Sequence, residues 1–439
     1  MSRLVDRPRS VLLLCDERHR QAQAVRHHVD ALSTASRHSV RRLSVFGDLP
    51  EALDLRAFDA IVIHYSIMAD LNRLLSPAAR RNIGAAPAAK LVFVQDEHRN
   101  VKSRVESLRQ LGAAALFTCV PEGQVDKLYP DSVLPGVRLV PVLTGYVPSG
   151  LVARETPPYG DRPIDVGYRA RELPAWLGTL ARDKARIGER FIADAPSWGL
   201  RCDISTREED RFYGEAWIGF LSRCKATLGV ESGASVFDPD GSVERGVETH
   251  LWGHPDASFD ALRARYFANL DGVIDNGQIS PRIFEAACLR TLLILYPGRY
   301  SGALEPWRHY VPLEREHGNI AEVVDVLRRP DRAGEIIDRA YREIARNPAF
   351  SYDSLTALFD RAIDETTHGR AAASGYGDAH WAAIARPRAA TLMRRAKREI
   401  YERIHGVAFR AAGKSLGPAA LAKLRAKLRA LRARARNGS

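Results

Sequence analysis

Short apolar runs alternate with longer amphipathic stretches along most of the chain, the rhythm of a parallel α/β sheet. In the first 150 residues the runs fall at 11–15, 40–46, 58–64 (FDAIVIH), 90–95 (KLVFVQ), 113–119 and 138–143. Each predicts a strand, and the polar, His-rich stretch 18–32 predicts a helix. A second series starts at 163. Strands are expected at 163–168, 198–204, 224–230 and 291–295, with helices over 176–194 and 214–223. The run TLLIL at 291–295 reads as a strand covered on both faces. Between the two series, Pro148, Pro157, Pro158 and Pro163 mark an interdomain linker, placed at 151–162. Beyond Glu314, apolar residues recur at helical spacing over 320–327, 333–347 and 351–364. Residues 369–377 are small and polar, a further linker.

The pattern therefore predicts two Rossmann-like domains, at 1–150 and 163–365, followed by a basic helical tail over 366–439. Ligands of such sheets sit beyond the carboxyl ends of the strands. Polar residues cluster there: Asp16 and Glu17; His64, Tyr65 and Ser66; Asp96, Glu97 and His98; Thr144, Gly145 and Tyr146. Helix caps and turns would place such residues too, and for Asp16 and Ser66 that is the plainer reading. His64 and Asp96 are the candidate proton acceptors, as ionisable groups at strand ends.

Residues 233–277 are more polar than their surroundings and read as an excursion over the cleft mouth. Asp238-Pro-Asp240-Gly241 lacks the repeating ligands of a calcium loop and predicts a turn. His250 and His254 could share a metal on a helix, but Trp252-Gly253 and Pro255 argue against a helix, and no metal site is expected.

Composition adds the class of protein. The 439 residues are 45% hydrophobic and 27% charged, ample for two or three globular domains. Five scattered cysteines without a C-x-x-C pair read as reduced thiols of a cytoplasmic protein. The apolar run 11–15 is too short for a signal peptide, and no run reaches membrane-spanning length. The net charge of +12 is uneven: residues 385–439 carry 16 Lys/Arg against Glu399 and Glu402, which leaves the rest close to neutral. That argues against a nucleic-acid-binding body. Two helical patterns fill the tail, 389–407 and 418–436, the latter with Leu421, Leu424, Leu428 and Leu431 on one stripe. A basic amphipathic helix suits an anionic membrane surface, so a peripheral position at the inner membrane face is one expectation; a solvated or body-packed helix is the other.

The segment 280–314 carries the chemistry. Ser280 stands at an N-cap and Pro281 at a first helical position, and Ile283, Phe284, Ala287 and Cys288 share a buried face. A helix N-terminus offers free N–H groups to phosphate oxygens, and an early carboxylate such as Glu285 can accept hydrogen bonds from ribose hydroxyls. With its early glutamate and following strand, Arg282-Ile-Phe-Glu285-Ala-Ala-Cys288 resembles the nucleotide-binding segment of GT-B glycosyltransferases, in particular the CgeB-like, group 1 branch. The resemblance is good over about 270–365 and looser before it. Members of the larger group often carry a second glutamate eight positions earlier, which usually contacts the sugar; here that position is Gly277.

The resemblance implies a GT-B fold, with two Rossmann-like domains facing across a cleft. The acceptor, and any catalytic base, would lie on the N-terminal side, and late helices would brace that domain. A basic residue after the first strand of the second domain, and a lysine further on, would contact the donor diphosphate, which points to Arg169 and Lys184, with Arg171 as a lesser candidate. Such cations also stabilise a departing diphosphate; surface charge is the plain alternative. Gln278, Ser280, Arg282 and Glu285 complete the expected donor site. The implied activity is transfer of a sugar from a nucleotide-diphosphate sugar to an acceptor hydroxyl on a glycan, lipid-linked or protein acceptor, without cofactor or metal. A non-catalytic nucleotide-sugar binder of the same fold is the alternative. A Rossmann oxidoreductase is disfavoured because no strand leads into G-x-G-x-x-G. A nucleic-acid role is confined to the tail.

Overall fold

The computed structural model describes residues 7–17 and 23–386. Among them, six parallel strands form a first sheet in the order β2-β1-β3-β4-β5-β6. They are β1 (Ser10–Cys15), β2 (Ser39–Ser44), β3 (Ala60–Ile63), β4 (Ala89–Phe93), β5 (Ala113–Thr118) and β6 (Arg138–Pro141). A second parallel sheet has the order β11-β10-β9-β7-β8. It is built from β7 (Ile164–Arg169), β8 (Cys202–Ser205), β9 (Cys224–Gly229), β10 (Leu292–Leu295) and β11 (Val311–Pro312). The architecture is two Rossmann-like α/β lobes facing across a cleft.

Strand position follows side-chain chemistry. Every residue of β1, β3, β4 and β10 is buried, and these unbroken apolar runs sit inside their sheets, covered by helices on both faces. The polar run SVRRLS of β2 has one buried residue and takes an edge. One face of the first sheet packs Val11, Leu13, Phe93 and Phe117 against Leu355, Phe359 and Ile363 of the helix Tyr352–Thr367. That late helix thus crosses back from the second lobe to brace the first. The opposite face receives Trp381 and Ile384 of the helix Asp378–Ala385, beside Phe58.

Three local expectations need correction. The helix expected over 176–194 is divided at Gly178 into a tight turn, Ala175–Leu177, and the helix Thr179–Asp194. Gly178 has φ +88°, and a Cβ there would lie 2.3 Å from Ser235 Oγ, so only glycine fits. Asp271 then caps the new helix start, accepting from Thr179 N at 3.2 Å and Thr179 Oγ1 at 2.6 Å. The strand expected from 198 begins at Cys202, because Ala195–Trp198 winds as a 3-10 turn that Gly199 ends at φ +61°. A helix does run over Ser242–Gly253 and contains His250; Pro255 falls beyond its end, where it breaks nothing.

The polar excursion joins the lobes. Asp238 N donates to His98 O at 2.7 Å, Lys102 N to Pro239 O at 2.9 Å, and Arg99 Nη2 meets both oxygens of Glu244 at 2.7 Å. Asp238 forms the expected turn, its carboxylate accepting from Gly241 N and Glu244 N at 2.9 Å. Among the described residues no helix is long and apolar enough to cross a membrane. The expected tail helices 389–407 and 418–436 lie outside the described residues.

Candidate active site

A cavity of about 520 Å³ opens where the carboxyl ends of the two sheets meet. The first lobe contributes Met68, Asp96, His98 and Arg99 to its wall. The second contributes Arg171, Lys184, Arg211 and Trp217, and the helix start at Ser280 and Arg282. A concave site with a few converging polar groups is what a small ligand requires.

The helix Pro281–Cys288 is set in place from both lobes. Ser280 is its N-cap, with its Oγ accepting from Arg282 N at 3.4 Å. Thr144 Oγ1, from the first lobe, donates to Ile279 O. Gly145 lies so close to Pro281 that a Cβ would come within 2.7 Å of the ring. The N-terminal end of the helix is thereby held at the cavity, where its partial positive charge suits an anion.

Arg282 lies over the Trp217 ring at 4.5 Å and donates to the carbonyl of Arg169. Glu285, one turn further, is partly buried and accepts from Trp217 Nε1 at 2.7 Å. Burial raises its carboxyl above the usual range, and the Trp217 bond and Arg282 oppose that rise. Glu285 itself stands behind Trp217, which faces the cavity.

Lys184 projects from the helix Thr179–Asp194, and its ammonium has no hydrogen-bond or ion-pair partner among the described residues. Burial lowers its pKa to about 8; Asp96 counters this, and Arg282 and Arg171 add to it. Arg171 is exposed at the same wall. Asp96 follows β4 with φ +52°, a left-handed conformation uncommon for a residue with a Cβ, and is exposed to the cavity. Its neighbour Glu97 points the other way, bonded to Thr118, Cys119 N and Tyr129. Burial lowers the His98 imidazole pKa, so that ring is neutral near pH 7.

Besides Glu285, which stands behind Trp217 and does not line the cavity, three expected site residues are not brought to it. His64 is completely buried, bonded to His28 at 3.0 Å and Ser66 at 2.9 Å. Burial holds its pKa well below the ordinary histidine value. It is a paired core imidazole with no route to an acceptor. Arg169 is 5% exposed and spent on structure: it donates to Tyr168 O, Asp203 O, Asp203 Oδ1 and Asp210 O, between the rings of Phe212 and Phe220. Aromatic faces and carbonyls at the sheet end have drawn it inward. Gln278 donates to Cys119 O across the lobes and to Asn276 Oδ1, both at 2.8 Å. It is a strut.

Nothing in the sequence pattern marks Trp217 or Arg211 as cavity residues, since a tryptophan on an amphipathic helix reads as core. Gly277 has a direct explanation. The Glu231 carboxylate, arriving from the end of β9, lies where a Cβ at Gly277 would fall 2.0 Å from its Oε1. Arg299 N and Tyr300 N bind that carboxylate at 2.6 and 3.0 Å. The His250 and His254 rings lie 4.8 Å apart, with His250 Nδ1 3.1 Å from Tyr266 OH.

No protein-family model matches the sequence, and no curated protein matches it. Solved structures do. TarM is similar with a TM-score of 0.39 and 11% identity, over 71% of this chain and 56% of TarM, so the chain spans little more than half of that protein. A glycosyltransferase from Rickettsia africae ESF-5 gives 0.44 and 12%, over 82% of this chain and 99% of that one. The T4 phage BGT, solved with its UDP-glucose substrate, gives 0.46 and 9%, over 82% and 99%. At such scores and identities the chemistry of the site rests on this chain's own residues.

Proposed function

We propose that the protein is a glycosyltransferase of the GT-B type, moving a hexose from a nucleotide-diphosphate sugar to an acceptor hydroxyl. The observation that carries this reading is the convergence of Lys184, Arg171 and Arg282 with the N-terminal end of the helix Pro281–Cys288, in one interlobe cavity. Two unpaired cations beside the positive end of a helix fit a diphosphate and the charge it gains as the sugar–oxygen bond breaks. In this reading Arg171 takes the part first assigned to Arg169. Glu285 acts through Trp217, fixing the indole that lines the nucleotide end of the cavity. Asp96, on the opposite wall, accepts the proton of the acceptor hydroxyl. These fixed charges do the work that a divalent cation does in other sites, so the reaction proceeds without metal. The setting is cytoplasmic synthesis of cell-surface glycan, with the basic tail at the inner membrane face.

The test is a calorimetric titration with UDP, GDP and dTDP, followed by a donor-hydrolysis assay on the matching sugars. At least one nucleotide diphosphate binds, and Glu285→Ala and Lys184→Ala each weaken it. Absence of binding by all of them overturns the reading. Binding without turnover, with or without sugar acceptors, turns it into the non-catalytic binder.

A further inference from the structure

Away from the cleft cavity, a second hollow of about 440 Å³ lies between the lobes. Its first wall is the helix Val101–Leu111, which begins two residues after Arg99. Val101, Val105 and Arg109 recur at four-residue spacing on that wall, so one helix face looks into the hollow. Leu128 and Val133 continue it, and Phe237, Leu270 and Ile274 close it from the second lobe. The floor is apolar. Val273, at the rim, is 56% exposed, the largest exposure among the big hydrophobic side chains of the described residues. Apolar surface gathered in a concavity and left open marks a binding site more often than a scattered exposed valine does.

The charged residues of this hollow are all of one sign. Lys102, Arg109 and Lys127 line it and no acid does. Arg109 donates to Val133 O, and Lys127 to Gln124 Oε1 and Val273 O. Neither has a carboxylate partner among the described residues, and Lys102 has only an exposed contact of 3.9 Å with Asp240. An apolar floor with an unneutralised cationic rim is complementary to a molecule that is apolar along its length and anionic at one end. The volume is that of a small-ligand site, too little for a folded partner.

We propose that this hollow binds a single-chain lipid phosphate, with the chain on Val105, Leu128, Phe237 and Ile274 and the phosphate between Arg109 and Lys127. The site is independent of the nucleotide-sugar reading. It would hold an amphiphile beside the cleft, on a surface both lobes share.

The full-length protein is titrated by calorimetry with dodecyl phosphate below its micelle concentration, and in parallel with dodecyl maltoside and inorganic phosphate. Dodecyl phosphate is expected to bind at least about tenfold tighter than either control, since both halves of the molecule are recognised. Val273→Asp, an exposed change that leaves the melting temperature in place, and the double variant Arg109→Glu/Lys127→Glu each weaken it about tenfold or more. Equal binding of dodecyl maltoside overturns the anionic head. Equal binding by Val273→Asp overturns the site and moves the binding elsewhere, for instance to the basic residues beyond 386. No binding of dodecyl phosphate, or binding only of an acidic amphipathic peptide, overturns the proposal outright.

Discussion

The carboxyl ends of the two sheets use the same kinds of residue in opposite ways. At the first sheet the ionisable groups turn inward and satisfy one another: His64 with His28 and Ser66, Glu97 with Thr118 and Tyr129. Asp96, in its left-handed turn, His98 and Arg99 are the ionisable groups that reach the cavity. At the second sheet Arg169 turns inward in the same manner, but Arg171, Lys184 and Arg282 are left facing open space. A polar residue at a strand end is therefore no site by itself. The distinction is whether its hydrogen-bonding capacity is already consumed by the protein.

The comparison breaks most visibly at the proton acceptor. Asp96→Asn is expected to lower kcat by about 100-fold or more, the usual scale for loss of a general base. His64→Phe leaves kcat within a few-fold in the same turnover assay. A reversed order would return the catalytic role to the buried imidazole.

The two arginines sharpen it next. Removing Arg169 breaks a buried, hydrogen-bonded ion pair, which costs roughly 3–5 kcal/mol. Asp203 is about half exposed, side-chain exposure 47%, so the lower end applies. Arg169→Met should shift the urea midpoint accordingly and leave nucleotide binding per folded molecule unchanged. Arg171→Ala should do the opposite, with unchanged unfolding and binding weaker by about 1.5–3 kcal/mol, the scale of a charged hydrogen bond.

A pH titration tests Lys184 more gently. Its folded pKa of about 8 lies below the ordinary lysine value of roughly 10.4. Between these values the unfolded chain binds more protons than the folded one, so unliganded stability rises with pH across that window. A diphosphate needs the ammonium, so nucleotide affinity falls as pH rises past about 8. Lys184→Met removes both slopes; melting curves and titrations at several pH values read them.

The smallest effect is expected at the strut. Gln278→Ala removes one interlobe bond to Cys119 O, a change of about 1 kcal/mol in stability. Turnover should hardly respond.

Much of this molecule could be read from its residues in order. Apolar runs a few residues long, set between amphipathic stretches, determined two parallel sheets, because backbone groups in a strand buried on both faces can be satisfied only by neighbouring strands. Ser280-Pro281 determined a helix start, since an N-cap oxygen and a residue without an N–H both suit the unpaired first turn. What the order of residues left open was direction. Arg169 and Arg171 are two positions apart on an extended segment, and nothing local says which one finds carbonyls, Asp203 and two aromatic rings. Glu231, 46 positions before Gly277, fills the space beside it only because β9 and the following loop meet there. Such partners come from distant parts of the chain, and burial, which fixes both pairing and charge state, exists only once the lobes have packed.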